Sequence, residues 1–134
     1  MSATICAHAI VGVNVSSVVE AKVETHQVTR YDEVTGVPYE KTVKGPKKLF
    51  FGSTEIKNFC DIEYNLGFDM EETANGVTII GKTMWDSGYN FEDGRLFEVD
   101  MDQVSNTIAE VKEELAQHGI KAEPMLYFVC YLGF

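Results

Sequence analysis

Apolar and polar residues alternate from Thr4 to Val15. One face carries Ile5, Ala7, Ala9, Val11, Val13 and Val15, and the other carries Cys6, His8, Ile10, Gly12 and Asn14. The first face is wholly apolar and the second only partly so. This predicts an interior strand, packed closely on one side and more loosely on the other.

From Val18 to Tyr31, Val and Thr are interleaved with Glu20, Lys22, Glu24, His26 and Arg30. Asp32-Glu33-Val34-Thr35-Gly36 and then Val37 to Val43 follow. Asp at the start and Gly at the end suit a short loop whose last residue takes positive φ. The expectation is a long polar hairpin over 18–48, projecting from the sheet or lying at its edge, with Gly45-Pro46 breaking its second strand. Its mixed charges would discourage edge-to-edge aggregation.

Leu49-Phe50-Phe51 reads as a short strand. Over 53–64 two readings fit: a helix capped by Ser53 or Thr54 that carries Ile56, Phe59 and Cys60, or a strand at Asp61–Tyr64. Asn75-Gly76 predicts a hairpin joining Phe68–Thr73 to Val77–Met84. Residues 86–90 and 92–94 read as loop, and Leu96–Val99 as a short strand.

The most sharply patterned element is a helix from about Met101 to His118. Met101, Val104, Ile108, Val111 and Leu115 form one stripe, with Ala109 and Ala116 beside it. Asp100 with Gln103 resembles a capping box, Gly119 suits the stop, and Glu110, Lys112, Glu113 and Glu114 are expected to face water. Met125–Leu132 is apolar on both faces, which predicts a central strand, joined to Leu96–Val99 through the helix as a parallel βαβ crossover. The predicted fold is a single α+β domain over 1–134: a mostly antiparallel β-sheet, one main amphipathic helix packed on a face, and a long polar β-hairpin.

Composition narrows the function classes. A chain of 134 residues can bury its own core. Cys6, Cys60 and Cys130 are odd in number and widely spaced, which argues against a disulfide framework or a structural zinc site. No basic flank or long apolar stretch precedes Ala7-His8-Ala9, the 3–15 run is too short to span a bilayer, and Asn14-Val15-Ser16 is a sequon without a leader. The expectation is a soluble cytoplasmic protein, homo-oligomeric, with no membrane association.

Charge is segregated along the chain. Residues 1–50 hold six Lys/Arg against five acids, and residues 51–134 hold five against sixteen. An acidic body repels phosphate, and only the cluster from Lys41 to Lys48 would attract it.

Three functional readings follow. The first is a non-enzymatic interaction module that presents an acidic face and an aromatic loop to a protein partner. Its candidate contacts are Trp85, Asp86, Tyr89, Glu92 and Asp93, with Phe91 beside them. The acids from Asp61 to Asp102 are also dense enough to imitate a phosphate lattice. A small α+β chain without catalytic signature suits a phage- or mobile-element-encoded protein. The second reading is nucleic-acid binding through Arg30, Lys41, Lys44, Lys47 and Lys48, with Tyr31, Tyr39 and Phe50 available for stacking. The third is a small-ligand pocket or enzyme around Cys6 and His8, which share a strand face but lack an identified orienting group.

No cofactor or metal is expected. The 86–97 segment departs from the calcium-loop template at positions three, six and twelve, and no phosphate-binding loop, dinucleotide turn or nucleophile elbow occurs. Among the remaining histidines and cysteines, His26, His118, Cys60 and Cys130 carry no recognisable spacing.

Overall fold

The N-terminal alternation forms a strand, and that strand lies in the interior of the body sheet. The computed structural model describes residues 4–86 and 98–133, with side chains described for 6–86 and 98–130. Strand β1 (Thr4–Asn14) runs antiparallel to β6 (Thr78–Asp86) on one side and to β7 (Met125–Gly133) on the other; β5 (Asp69–Glu72) pairs with the far edge of β6. A second antiparallel sheet holds β2 (Val19–Tyr31), β3 (Pro38–Phe51) and β4 (Thr54–Ile56). The described helices are the single turn α1 (Val15–Val18), the short α2 (Cys60–Tyr64) and the long α3 (Met101–Gln117). The fold is α+β, with mostly antiparallel sheet, one principal helix and one long hairpin.

Alternation sorts the strand residues onto two faces. Val11, Val13 and Ile80 point toward α3 and join Val104, Val111 and Leu115 in the main core; Ile10, Ile79 and Val129 form a smaller cluster on the opposite face. Each fully buried Val or Leu contributes about 1.5–3 kcal/mol, which is why the stripe on α3 fixes the helix to the sheet. Met101 departs from that stripe: it is 70 % exposed, because the helix enters the core only one turn later. Asp100 caps α3 by accepting from the Asp102 N–H at 2.9 Å, and Gly119 (φ +78°) ends it. Glu114 is half-buried rather than solvated. Lys82 Nζ lies 2.7 Å from Glu114 and 3.4 Å from Glu110, and the hydrogen bond to Glu114 raises the Lys82 pKa.

Gly12 and Gly81 are register partners at the middle of the β1–β6 pair. A Cβ on Gly12 would sit 2.0 Å from the Ile80 carbonyl oxygen, and one on Gly81 would sit 1.9 Å from the Val11 carbonyl oxygen. Only glycine permits backbones this close. A bulge between Ala9 and Ile10 interrupts the register of the same pair.

Several sequence expectations are corrected. Met125–Gly133 stands at the end of the sheet order, not in its middle. It is apolar on both sides because Leu126 enters the main core while Tyr127 and Val129 pack with Ile10. It pairs antiparallel with β1, so the described residues contain no parallel βαβ crossover; Glu98 and Val99 are not in a strand, and Leu96 and Phe97 lie outside the described residues. Over 53–64, where two readings fit the sequence, the structure has both elements: Thr54–Ile56 is strand, paired to β3, and Cys60–Tyr64 is helix. Asp61 decides the latter, since its carboxylate accepts from the Lys57 N–H at 2.7 Å and from Asn65 Nδ2 at 3.1 Å. Gly45-Pro46 does not end its strand either, and β3 continues to Phe51 through a bulge. At Asn75-Gly76 the hairpin forms with Gly76 (φ +78°) alone at positive φ, and Thr73 N–H and the Val77 carbonyl close a three-residue loop.

The β2–β3 hairpin leaves the body as a ribbon. With 13 residues in β2 it is about 44 Å long, and from Glu20 to Thr42 every residue except Val28 is exposed. Its base is tied down by Phe51, whose buried ring meets Phe68 at 5.6 Å and His118 at 5.3 Å between centroids. Beside it Gly52 (φ +60°) turns the chain so that Ser53 N–H and Oγ donate to the His118 carbonyl at 2.7 and 3.0 Å. At the tip, the Asp32 carboxylate accepts from Val34 N–H (2.8 Å) and Thr35 N–H (2.9 Å), and these bonds hold its pKa below the ordinary value.

Two outcomes follow from this geometry. Gly81→Ala should cost about 3 kcal/mol or more in equilibrium denaturation, because the new Cβ meets backbone that cannot yield without parting β1 from β6; a loss within experimental error would show that the strands are not pressed together. The Asp32 turn is fully held above the ordinary carboxylate pKa and loosens as pH falls through its lowered folded value. Amide shifts of Val34 and Thr35 should therefore titrate with a midpoint below the ordinary aspartate value, and a midpoint at that value would contradict the capped turn.

Candidate functional site

The ribbon carries most of the basic residues singled out in the sequence, and a single bulge decides where they point. Val23 opposes Lys47 and Thr25 opposes Lys44, so the single residue Glu24 on β2 faces two, Gly45 and Pro46, on β3. The extra residue lies at Gly45-Pro46 and shifts the alternation by one. Lys44 and Lys47 therefore share a face with Val23 and Thr25. Lys41 and Lys48 share the other with Lys22, His26, Arg30 and Tyr39, through the pairs Lys22–Lys48, Val28–Lys41 and Arg30–Tyr39. Tyr31 falls on the first face, opposite Pro38. The cationic ribbon is thus two-sided, not a single lysine row.

Among the described residues, Arg30, Lys41, Lys44, Lys47 and Lys48 join no salt bridge; the Lys ion pairs there are those of Lys22, Lys82 and Lys112. Lys22 sits 5.0 Å over the Phe50 ring and 3.7 Å from Glu20. At the ribbon base, Lys47, Lys48 and Lys57 border an open groove of about 550 Å³ with Leu49 and Ile56 in its floor.

The body offers a surface of opposite character that the sequence reading did not single out. Helix α2 and strand β5 flank a groove of about 480 Å³ lined by Phe59, Glu63, Met70 and Glu72, among others. Phe59 is 44 % exposed and Tyr64, at the end of α2, is 78 % exposed. Large aromatics held open beside carboxylates are the usual anchors of protein interfaces. The pattern Phe59-Cys60-Asp61-Ile62-Glu63-Tyr64 contains the signal at helical spacing, with Ile62 turned into the core. It becomes readable only once this segment is known to be helix.

The predicted aromatic loop is only partly on view. Trp85 is half-buried and opposes Ala9, and Asp86 is exposed and opposes His8; Tyr89, Phe91, Glu92 and Asp93 lie outside the described residues.

The Cys6–His8 strand face gains the orienting groups that the sequence did not reveal. His8 Nδ1 lies 3.3 Å from Glu71 Oε1 and 3.5 Å from Asp86 Oδ1, with the His8 and Glu71 side chains both 15 % exposed. Glu71 and Glu72 alternate to opposite faces of β5, as strand geometry requires, so only Glu71 reaches the imidazole. This arrangement can orient a histidine ring. Cys6 is buried, Cys60 and Cys130 are exposed, and His26 is exposed on the ribbon. His118 has a packing role between Phe51 and Phe68, with Nδ1 3.2 Å from Thr54 Oγ1. Among the described residues, no group of three or more His, Cys, Asp or Glu side chains is placed to hold a metal ion, and no helix is long and apolar enough to cross a membrane.

Comparison with known proteins finds no matching family model, no matching curated protein and no matching solved structure.

Proposed function

We propose that this chain is a protein-interaction module whose principal contact element is the β2–β3 ribbon, rather than an enzyme. The observation that carries this reading is the ribbon itself. A two-stranded hairpin in water is marginally stable at best, yet this one is about 44 Å long and every residue from Glu20 to Thr42 except Val28 is exposed. Val23, Tyr31, Val34, Val37 and Tyr39 are each at least 47 % exposed along it. Ordering such an element costs conformational entropy that a bound protein surface would offset. Trp85, Asp86, Tyr89, Glu92 and Asp93 are a candidate second contact, with the homo-oligomeric state and the cytoplasmic location belonging to the same proposal.

A second reading, nucleic-acid binding, is favoured because Arg30, Lys41, Lys44, Lys47 and Lys48 join no salt bridge among the described residues and because Arg30, Lys41 and Tyr39 share a face. It ranks lower because Glu20, Glu24, Asp32, Glu33 and Glu40 nearly cancel the ribbon's positive charge.

Replacing residues 25–44 by Asn-Gly should leave the body folded, with its thermal transition retained, and should abolish the protein contacts that the intact chain makes in chemical cross-linking within its native extract. An unchanged cross-linked set would refute a ribbon-centred contact. For the second reading, a low-salt mobility shift with single-stranded or duplex nucleic acid should vanish when Lys44, Lys47 and Lys48 become Ser; absence of any shift with the intact chain rules it out.

A further inference from the structure

We infer that the partner of the ribbon is a second copy of this chain, and that the ribbon lies on the groove between α2 and β5 of that copy. The inference rests on the proposed role of the ribbon and adds both its occupant and its address.

Charge complementarity carries it. The ribbon face that carries Val23 and Tyr31 presents Lys44 and Lys47, and the opposite face Lys41 and Lys48, all without ion-pair partners among the described residues, while residues 51–134 carry sixteen acids against five Lys/Arg. On the body, several acids are already engaged: Glu110 and Glu114 with Lys82, Glu123 with Lys112, and Glu71 with His8. Glu63 and Glu72, which rim the α2–β5 groove, join no salt bridge among the described residues. The apolar parts match as well. Phe59 and Met70 offer an open apolar floor, and the ribbon face with Lys44 and Lys47 also carries Val23 and Tyr31. Pairing lysines with a carboxylate rim around buried aromatics is the anatomy of a specific interface.

Size points the same way. A ribbon about 44 Å long and roughly 10 Å wide offers about 440 Å² on one face. A stable interface needs about 800 Å² from each partner. One ribbon on one groove falls short, whereas a closed assembly in which every copy gives a ribbon and receives one engages about twice that area per chain. A foreign partner that met the ribbon alone would not gain this doubling. Ribbon and groove are different surfaces of the chain, so reciprocal exchange about a two-fold axis is the smallest closed form.

The test is a charge swap read by light scattering after size exclusion, in low salt at micromolar concentration. The intact chain should elute with a mass of at least two copies. One variant carries Lys41→Glu, Lys44→Glu, Lys47→Glu and Lys48→Glu, and the other carries Glu63→Lys and Glu72→Lys. Each alone should fall to the mass of one chain while keeping its circular dichroism spectrum, and mixing the two should restore an assembly containing both. The restored mixed species guards against simple misfolding. A monomeric intact chain overturns the inference, as does an assembly that both variants leave unchanged or a mixture that stays monomeric. If the intact chain is monomeric but ribbon removal still erases its cross-links to other proteins, the ribbon-centred function stands and the self-association falls.

Discussion

The ribbon can stand clear of the body only because its root is fixed, and the root is a small aromatic clasp. Phe51 ends β3 fully buried between Phe68 and His118, and Gly52 brings the next residue against the last carbonyls of α3. A side chain at Gly52 would collide with the His118 carbonyl oxygen, since a Cβ there would lie 2.1 Å away. The clasp therefore joins the end of the principal helix, the start of β4 and the lower end of the ribbon in one place. On the other strand of the ribbon, α1 does the equivalent work: Val15 and Val18 are buried, and Asn14 caps the turn by accepting from Ser16 N–H. Two rigid attachments at the root give a long thin element a defined direction.

The body is organised by a second constraint, the contact of two bare backbones at Gly12 and Gly81. Side-chain contacts in this sheet also reach beyond the register pairs. Glu71 pairs in register with Ile79, well away from the Asp86–His8 pair, and still comes within 3.3 Å of His8. The half-buried His8–Glu71 contact joins residues that are not register partners, so local sequence does not reveal it.

This explains what was legible in the chain and what was not. β1, the polar hairpin with Gly36 at positive φ, the Asn75-Gly76 turn and α3 each rest on a local periodicity or a local backbone requirement, and each is where the pattern put it. The errors fall where non-local pairing decides. β7 is apolar on both faces because it contributes to two cores, a distinction that hydrophobicity alone does not make. The 60–64 segment, which the pattern leaves open between helix and strand, is a separate case, settled locally by the Asp61 carboxylate bonding Lys57 N–H and Asn65 Nδ2. Pro46 lacks an N–H and so suggested a break, but it sits at a bulge where the ladder is already interrupted. Of the candidate surfaces, the lysine ribbon was visible from composition. Its division into two faces was not, since that depends on one unmatched residue. The groove beside α2 required knowing which residues are helical.

The isolation of the ribbon has a consequence for its history and its motions. Free energy spent opening it is not shared with the core, because its ladder hydrogen bonds and its exposed side chains are nearly all its own. Between Glu20 and Thr42, then, substitutions are screened by whatever the ribbon touches and hardly at all by the packing of Val11, Val111 or Leu115. Such an element can change its surface quickly while the rest of the chain stays fixed.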